Sequence, residues 1–196
     1  MRRFAVAFLV VAIGLLFTVG PVAADTSANG TNFSSSSSSC STSGGRQVCT
    51  DTNLSVFANE DGSDGQPCLG VFKYSISSNG RFSVISDEFG CASGGTLAVG
   101  DDLSVVLGDT QIPLETCNKQ TCTPSRTVTV SASDSPTGPI STTTTRSTTK
   151  SGGCTTKTTT TDRFVELAGT LTIDGTELDE TGFIDVLTGT EVTRCH

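Results

Sequence analysis

Tryptophan is absent from the 196-residue chain, and tyrosine and histidine each occur once. Sugar-binding sites commonly stack their ligand on large aromatic rings, so the lack of tryptophan argues against such a platform. The only histidine is His196, the last residue, where fraying of the chain is expected. A serine or cysteine nucleophile needs a base that is held in place, and His196 does not provide one. The sequence therefore predicts no catalytic residues and no enzymatic activity.

Positive charge is also scarce, because twelve lysines and arginines stand against twenty acidic residues. The net charge is −8, and removal of Arg2 and Arg3 with the signal peptide described below leaves it at −10. Nucleic acids and anionic membranes need a basic surface, so this balance argues against both as partners. Basic residues gather between positions 119 and 163, and acidic ones between 166 and 191. Complementary faces of one sheet explain that separation as well as a partner does.

The first 24 residues have the pattern of a secretory signal peptide. Arg2 and Arg3 precede an apolar run over residues 4–19, and small residues follow at Val22-Ala23-Ala24. This run is shorter than the roughly 20 residues needed to span a bilayer, which argues against a membrane anchor. We expect cleavage after Ala24 and a mature chain that is secreted or extracellular, with no further membrane span.

Eight cysteines follow the signal peptide, an even number that is typical of disulfides in an oxidising compartment. A zinc site is not indicated, because no second close pair accompanies Cys117 and Cys122, and no metal or cofactor is expected. Short loops close most easily, which favours the neighbour pairs Cys40–Cys49, Cys68–Cys91, Cys117–Cys122 and Cys154–Cys195. The alternative follows from the repeat described below and consists of Cys49–Cys117, Cys122–Cys195 and Cys40–Cys154.

The mature chain begins with a polar leader. Residues 25–48 include six consecutive serines and carry too little apolar surface to offset the entropy cost of ordering. A flexible, serine-rich leader is therefore expected there. From Cys49 onward, short β-branched runs alternate with glycine, asparagine and aspartate turns, which is typical of an all-β fold.

The β-rich part of the chain contains two similar halves. "GTLAVGDDL" at 95–103 is similar to "GTLTIDGTEL" at 169–178, and "QVCT" at 47–50 to "QTCT" at 120–123. We therefore predict an internal duplication, with disulfide-stabilised, tandem β-sandwich-like units that are free to pack as one domain. The units span residues 49–117 and 122–195. A single antiparallel meander barrel is the alternative.

A threonine-rich stretch lies within the second unit, at residues 139–164. Threonine is β-branched and favours the pleated surface of a sheet. A mucin-like stalk would carry more proline and would have no reason to contain Cys154. The stretch is therefore predicted to be a hairpin that turns at Ser151-Gly152-Gly153.

The hairpin around Asn79-Gly80 gives two cues about its register. A two-residue turn places Cys68 opposite Cys91, within reach of a disulfide. A shift by one residue instead collects apolar side chains on one face: Phe72, Tyr74, Ile76, Phe82 and Val84. We expect the shifted register near the turn, produced by a glycine bulge there. A second irregularity near Gly90 would then restore the cysteine pairing.

Two kinds of oxygen-rich site are candidates for chemistry. Asn59, Asp61 and Asp64 offer ligands for calcium, but the loop fails the EF-hand pattern and an ordinary solvated turn is favoured. Paired carboxylates support glycoside hydrolysis, although adjacent residues of a strand point to opposite faces. The candidate pairs are Asp87-Glu88, Asp101-Asp102 and Asp179-Glu180.

These features favour a non-catalytic binding or structural module of the extracellular or cell-envelope space. Its partner would be an extracellular or cell-surface molecule that the sequence does not identify. Two alternatives are an inhibitor of secreted hydrolases, which would present rigid loops, and an extracellular hydrolase that acts through carboxylates. No residue pattern ties the chain to a particular family.

Overall fold

The structure is a computed structural model that describes residues 29–117 and 121–195. The predicted signal peptide, the first residues of the leader and His196 lie outside the described residues. The described part of the chain contains no helix, and the all-β prediction is confirmed. Its ten strands are β1 (Gly30–Ser43), β2 (Arg46–Ala58), β3 (Gln66–Ser77), β4 (Phe82–Cys91), β5 (Leu97–Val99), β6 (Val105–Cys117), β7 (Cys122–Pro136), β8 (Ser141–Ser151), β9 (Cys154–Ile173) and β10 (Thr176–Cys195).

All of these strands belong to one antiparallel sheet. The neighbours along it are β10, β1, β2, β3, β4, β6, β7 and β9, with β8 paired to the outer part of β9 and β5 paired to β6. Because β9 also pairs with β10 along its whole length, the line of hydrogen-bonded strands returns to its starting point. Each strand has one inward and one outward face, since successive side chains of a strand point to opposite sides.

The core lies on the inward face. Its side chains come from nearly every strand and alternate with exposed ones, as a sheet with one buried face requires. The largest fully buried side chains are Phe33, Leu54, Leu69, Leu97, Leu103, Leu107, Ile112, Leu114, Leu167, Leu171 and Ile184. Burial of each such side chain contributes roughly 1.5–3 kcal/mol to folding.

The flexible-leader prediction for residues 25–48 is wrong where the structure describes them. β1 pairs with β2 on one side and with β10 on the other, and Thr31, Phe33 and Ser35 are buried. Composition is misleading here because a strand needs only every second residue to face the core. Phe33 supplies the apolar anchor, while outward serines find polar partners: Ser38 Oγ donates to Asp51 Oδ1 at 2.6 Å.

The β3–β4 hairpin contains both predicted registers. Cys68 pairs with Cys91 and Phe72 with Asp87, whereas Tyr74 pairs with Val84, so one extra residue is accommodated between these segments. The shifted register near the turn is correct, but the irregularity lies at Ile85 rather than near Gly90. The apolar side chains share one face as expected, and that face is the outward one.

The threonine-rich stretch forms the predicted hairpin. β8 and β9 pair from Ser141 with Phe164 to Ser151 with Cys154, without a register shift. Gly152 and Gly153 have φ angles of 57° and 79°, a left-handed conformation that favours glycine at the turn.

The sheet runs through both of the predicted units. β6, from the segment 49–117, pairs with β7, from the segment 122–195, from Val105 with Asp134 to Cys117 with Cys122. β1 of the leader joins the second unit through β10. The hydrogen-bonded sheet is therefore continuous across the predicted boundary between the two units.

Four disulfides join the neighbouring cysteines that short-loop closure favours: Cys40–Cys49, Cys68–Cys91, Cys117–Cys122 and Cys154–Cys195. Each bridge connects residues directly opposite one another on adjacent strands. No cysteine is free, and this set of bridges indicates an oxidising environment such as the extracellular space. In residues 29–117 and 121–195, no helix is long and apolar enough to cross a membrane.

We expect non-reducing peptide mapping of the protein to recover these four bridges and no free thiol. Selective loss of Cys154–Cys195, which spans 41 positions, should lower the free energy of unfolding. The chain-entropy relation gives about 4 kcal/mol for a loop of this length. Urea titration of a Cys154→Ser/Cys195→Ser variant measures the loss. A peptide that links Cys40 to Cys154 would contradict the pairing.

Candidate functional site

Beyond the core, β8 and the outer parts of β9 and β10 form a three-stranded extension. Residues 141–151 of β8 pair with β9, and residues 188–195 of β10 pair with the other edge of β9. We call residues 141–163 and 188–195 the threonine extension. β-Branched side chains stiffen its strands, and the Cys154–Cys195 bridge joins β9 to β10 at its far end. The extension is therefore a stiffened, three-stranded element.

All basic residues of the threonine extension lie on one face. Lys150 and Arg194 stand on either side of Thr155, and Lys157 occupies the next row of the same face. Arg146 lies opposite Thr159, and Arg163 lies nearest the core. We call this the cationic face. Its members are Thr142, Thr144, Arg146, Thr148, Lys150, Thr155, Lys157, Thr159, Thr161, Arg163, Thr188, Thr190, Val192 and Arg194.

The cationic face continues the inward side of the sheet. Val165 of β9 and Val186 of β10 are buried in the core, and Thr161 and Thr188 follow on the same side. Rows are about 7 Å apart along a strand, and neighbouring strands about 4.8 Å apart. Four of the basic groups therefore lie within a patch of about 10 by 15 Å.

Carboxylates do not neutralise this face. Within the described ranges, one ion pair is formed, between Arg126 and Glu88 at 3.1 Å, and it lies outside the threonine extension. Arg163 Nη2 donates to the Asp101 carbonyl oxygen at 2.8 Å and ties the extension to a turn near the core. The remaining four cations, Arg146, Lys150, Lys157 and Arg194, are exposed.

The opposite face of the threonine extension is acidic. Glu191 and Asp162 share it with threonines, and the nearby Asp185 contacts Asp162. The pKa of Asp185 is raised to about 6, chiefly by burial and in addition by its hydrogen bond and charge interaction with Asp162. Thr156 and Thr193 hydrogen-bond across the strands at 2.9 Å. The two faces thus carry opposite charge.

A second polar feature lies inside the sheet. Asp134 of β7 and Glu180 of β10 both pair with Gly169 of β9, and their carboxyl groups contact each other across the glycine. A Cβ at position 169 would lie 2.1 Å from the Ser133 carbonyl oxygen, so only glycine allows this approach. All four carboxyl oxygens are buried and reached by no fixed donor in the described chain.

Both carboxyl groups of this interior pair have raised pKa values. The pKa of Glu180 is raised to about 8, chiefly by burial; the Ser35 hydroxyl, in a geometry short of a regular hydrogen bond, opposes this rise, and Asp134 adds to it. Burial also raises the pKa of Asp134, whereas its hydrogen bond with Glu180 lowers it. Glu180 therefore keeps its proton at neutral pH.

An aromatic cluster covers the outward face of β3 and β4. The ring of Tyr74 lies 5.5 Å from that of Phe72 and 5.2 Å from that of Phe82, centre to centre. Burial raises the pKa of Tyr74, and the charge of Asp51 raises it further. Val84 and Phe89 extend the cluster and are each 55% exposed. The Cys40–Cys49 bridge lies on the same outward side.

The predicted calcium residues form a compact turn. Asn59 Nδ2 donates to Asp64 Oδ2 at 3.2 Å, and the Ser63 amide donates to Asp61 Oδ1 at 2.9 Å. These bonds with Ser63 lower the pKa of Asp61. Asn59 thus presents its amide nitrogen to Asp64, and Asp61 accepts from Ser63, so all three side chains have partners within the loop. Calcium binding there stays a prediction.

The structure separates the members of each predicted carboxylate pair. Glu88 binds Arg126, and Asp102 accepts hydrogen bonds from Ser104 in a turn. Glu180 points inward, and Asp179 is exposed. Glu115, Cys117 and Cys122 form the one group of three metal-capable side chains found within the described residues. Its sulfurs are bonded to each other and are not thiolate ligands.

Sequence reasoning missed both polar features as sites. Alternation of threonine with lysine and arginine in "TTTTRSTTK" and "CTTKTTTTDR" is the signal for the cationic face, since residues two apart share a side. The interior pair has no such local signal, because Asp134 and Glu180 come together only when β7 and β10 pair with opposite edges of β9. No protein-family model, curated protein or solved structure matches this chain. Function is therefore inferred from the geometry of these sites.

Proposed function

We propose that the chain is a non-catalytic binding protein of the extracellular or cell-envelope space, and that the threonine extension holds its partner. The cationic face carries this proposal. Four exposed basic groups crowd one side of a three-stranded sheet without acidic neighbours. Like charges on adjacent strands repel each other, and a partner of opposite charge removes that repulsion.

The scaffold supports this role. Because β10 pairs with both β1 and β9, we infer one closed antiparallel meander rather than two sandwich-like units. A closed sheet cannot shear open easily, and four bridges restrain its hairpins. A binding face held on such a scaffold loses little conformational entropy when a partner binds.

The placement of the carboxylates supports a non-catalytic role. Among the carboxyl groups with raised pKa values, Glu180 has a pKa of about 8, and it lies with Asp134 among the buried side chains of the core strands. A polymeric substrate cannot reach them without opening the sheet. Of the predicted carboxylate pairs, Asp102 accepts a hydrogen bond within a turn and Glu88 pairs with Arg126, so neither is paired with a second carboxylate.

Retention of the labelled protein on envelope and extracellular material from its producing cells tests the proposal. We expect saturable retention that excess unlabelled protein displaces, with no release of reducing sugar, acid or amine from the material. Protein that has been reduced and carboxymethylated, and so unfolded, serves as the control. Equal retention of the folded and unfolded samples, or breakdown of the material, contradicts the proposal.

A further inference from the structure

We propose that the ligand of the cationic face is an acidic polysaccharide, a sugar polymer that carries carboxylate or sulfate groups. This inference rests on the proposed function and names the chemistry of the partner. It is argued from the charge of the face, its hydroxyl groups and its lack of aromatic rings.

The charge pattern suits a linear anion rather than a single small one. Lys150 and Arg194 flank the β9 strand in one row, Lys157 lies in the next row, and Arg146 lies one row further. The cations therefore follow the strands over three rows, about 7 Å apart. A polymer with regularly spaced anionic groups meets several of them at once, and each new contact is then intramolecular.

The threonine hydroxyls suit sugar hydroxyls. Thr148, Thr155, Thr159 and Thr190 stand among the cations, and none of these four makes a side-chain hydrogen bond with the described residues. A hydroxyl both donates and accepts, so it matches the hydroxyl and carboxylate groups of an acidic sugar. Bare polyphosphate offers acceptors alone and would leave half of this capacity unused.

The lack of aromatic rings on the cationic face argues against nucleic acid as its ligand. Val192 is the exposed apolar side chain among the cations, and no aromatic ring lies on the face. Single strands of nucleic acid bind by stacking their bases on aromatic side chains, and duplexes by a broad basic surface.

Binding of labelled uronate oligosaccharides, cut from polygalacturonate, tests the inference by fluorescence anisotropy at low and moderate salt. Arg146→Gln/Lys150→Gln should weaken binding about 10- to 100-fold at low salt, because two charge-assisted contacts are lost. Its matched control is Lys73→Gln/Arg81→Gln, which removes the same two residue types at exposed positions outside the threonine extension. The control should bind within twofold of the wild type.

Four results decide the inference, and the last of them separates it from the proposed function. Salt-sensitive binding of uronate, with weak binding of neutral dextran and of polyphosphate, supports the inference. Equal loss in both double variants, or none in Arg146→Gln/Lys150→Gln, overturns it. Tighter binding to DNA or polyphosphate than to uronate of equal charge also overturns it. Retention on envelope material without binding to any polyanion overturns it as well, but leaves the proposed function standing.

Discussion

Replacing Glu180 with glutamine is expected to remove most of the stability loss that the wild-type protein shows as pH rises from 5 to 8. The folded protein keeps a proton on Glu180 up to about pH 8, whereas the unfolded chain releases it near its ordinary pKa of 4.5. Folding therefore stabilises the protonated form. The contribution is fully present below about pH 4.5 and is lost as pH rises through 8. A pKa shift of this size corresponds to about 3–5 kcal/mol in the free energy of unfolding.

Urea titrations followed by far-UV circular dichroism at pH 5, 6.5 and 8 measure this effect, since the chain has no tryptophan for fluorescence. Glu180→Gln should be more stable than the wild type at pH 8 by at least 2 kcal/mol, to order of magnitude. Glu177→Gln, at an exposed position on the same strand, is the matched control and should follow the wild type. A residual fall between pH 4 and 6 is expected from Asp185. A wild-type curve that is flat from pH 5 to 8 contradicts the raised pKa of Glu180.

Gly169→Ala is expected to lower the free energy of unfolding by about 2–4 kcal/mol, because the added methyl group has no room. An ideal Cβ there would lie 2.1 Å from the Ser133 carbonyl oxygen and 2.6 Å from Asp134 Oδ1. The first contact is with backbone, which can yield only if β7 and β9 separate. The measurement is the same urea titration at pH 6.5.

Gly108→Ala provides a control within another strand. A Cβ at position 108 meets no atom within 4 Å, so the change should lie within about 0.5 kcal/mol of the wild type. Equal stability of the Gly169→Ala and wild-type proteins would show that β7 and β9 tolerate separation. The contact between Asp134 and Glu180 across the glycine would then not depend on a close approach.

The local parts of the fold were predictable because their signals lie close together along the chain. Threonine-rich arms around Gly152-Gly153 form a hairpin for the same reason that any β-branched run around a glycine turn does. The neighbouring cysteines face each other because each pair lies on adjacent strands. In the hairpin around Asn79-Gly80, the cysteine pairing and the apolar face predicted registers that differ by one residue. A bulge at Ile85 accommodates both registers.

The distant pairings were not predictable from local patterns. The serines of β1 looked like a disordered leader, since their partner strand β10 lies 145 positions away at Ser36 and Thr181. The interior carboxyl pair depends on the same kind of pairing, because β9 must lie between β7 and β10. By contrast, the basic residues of β8 and β9 were visible as a charge cluster, and only their common face required the sheet.

The pairing of β1 with β10 also sets an order of events during synthesis. Of the ten strands, β1 is the first to leave the ribosome and β10 follows all the others. Until residues 181–187 are made, one edge of β1 has no partner and Phe33 has no complete core around it. The Cys40–Cys49 hairpin can close early, but the sheet cannot. Contacts so distant in sequence slow folding. The nascent protein therefore keeps one edge of β1 unpaired until β10 has been made.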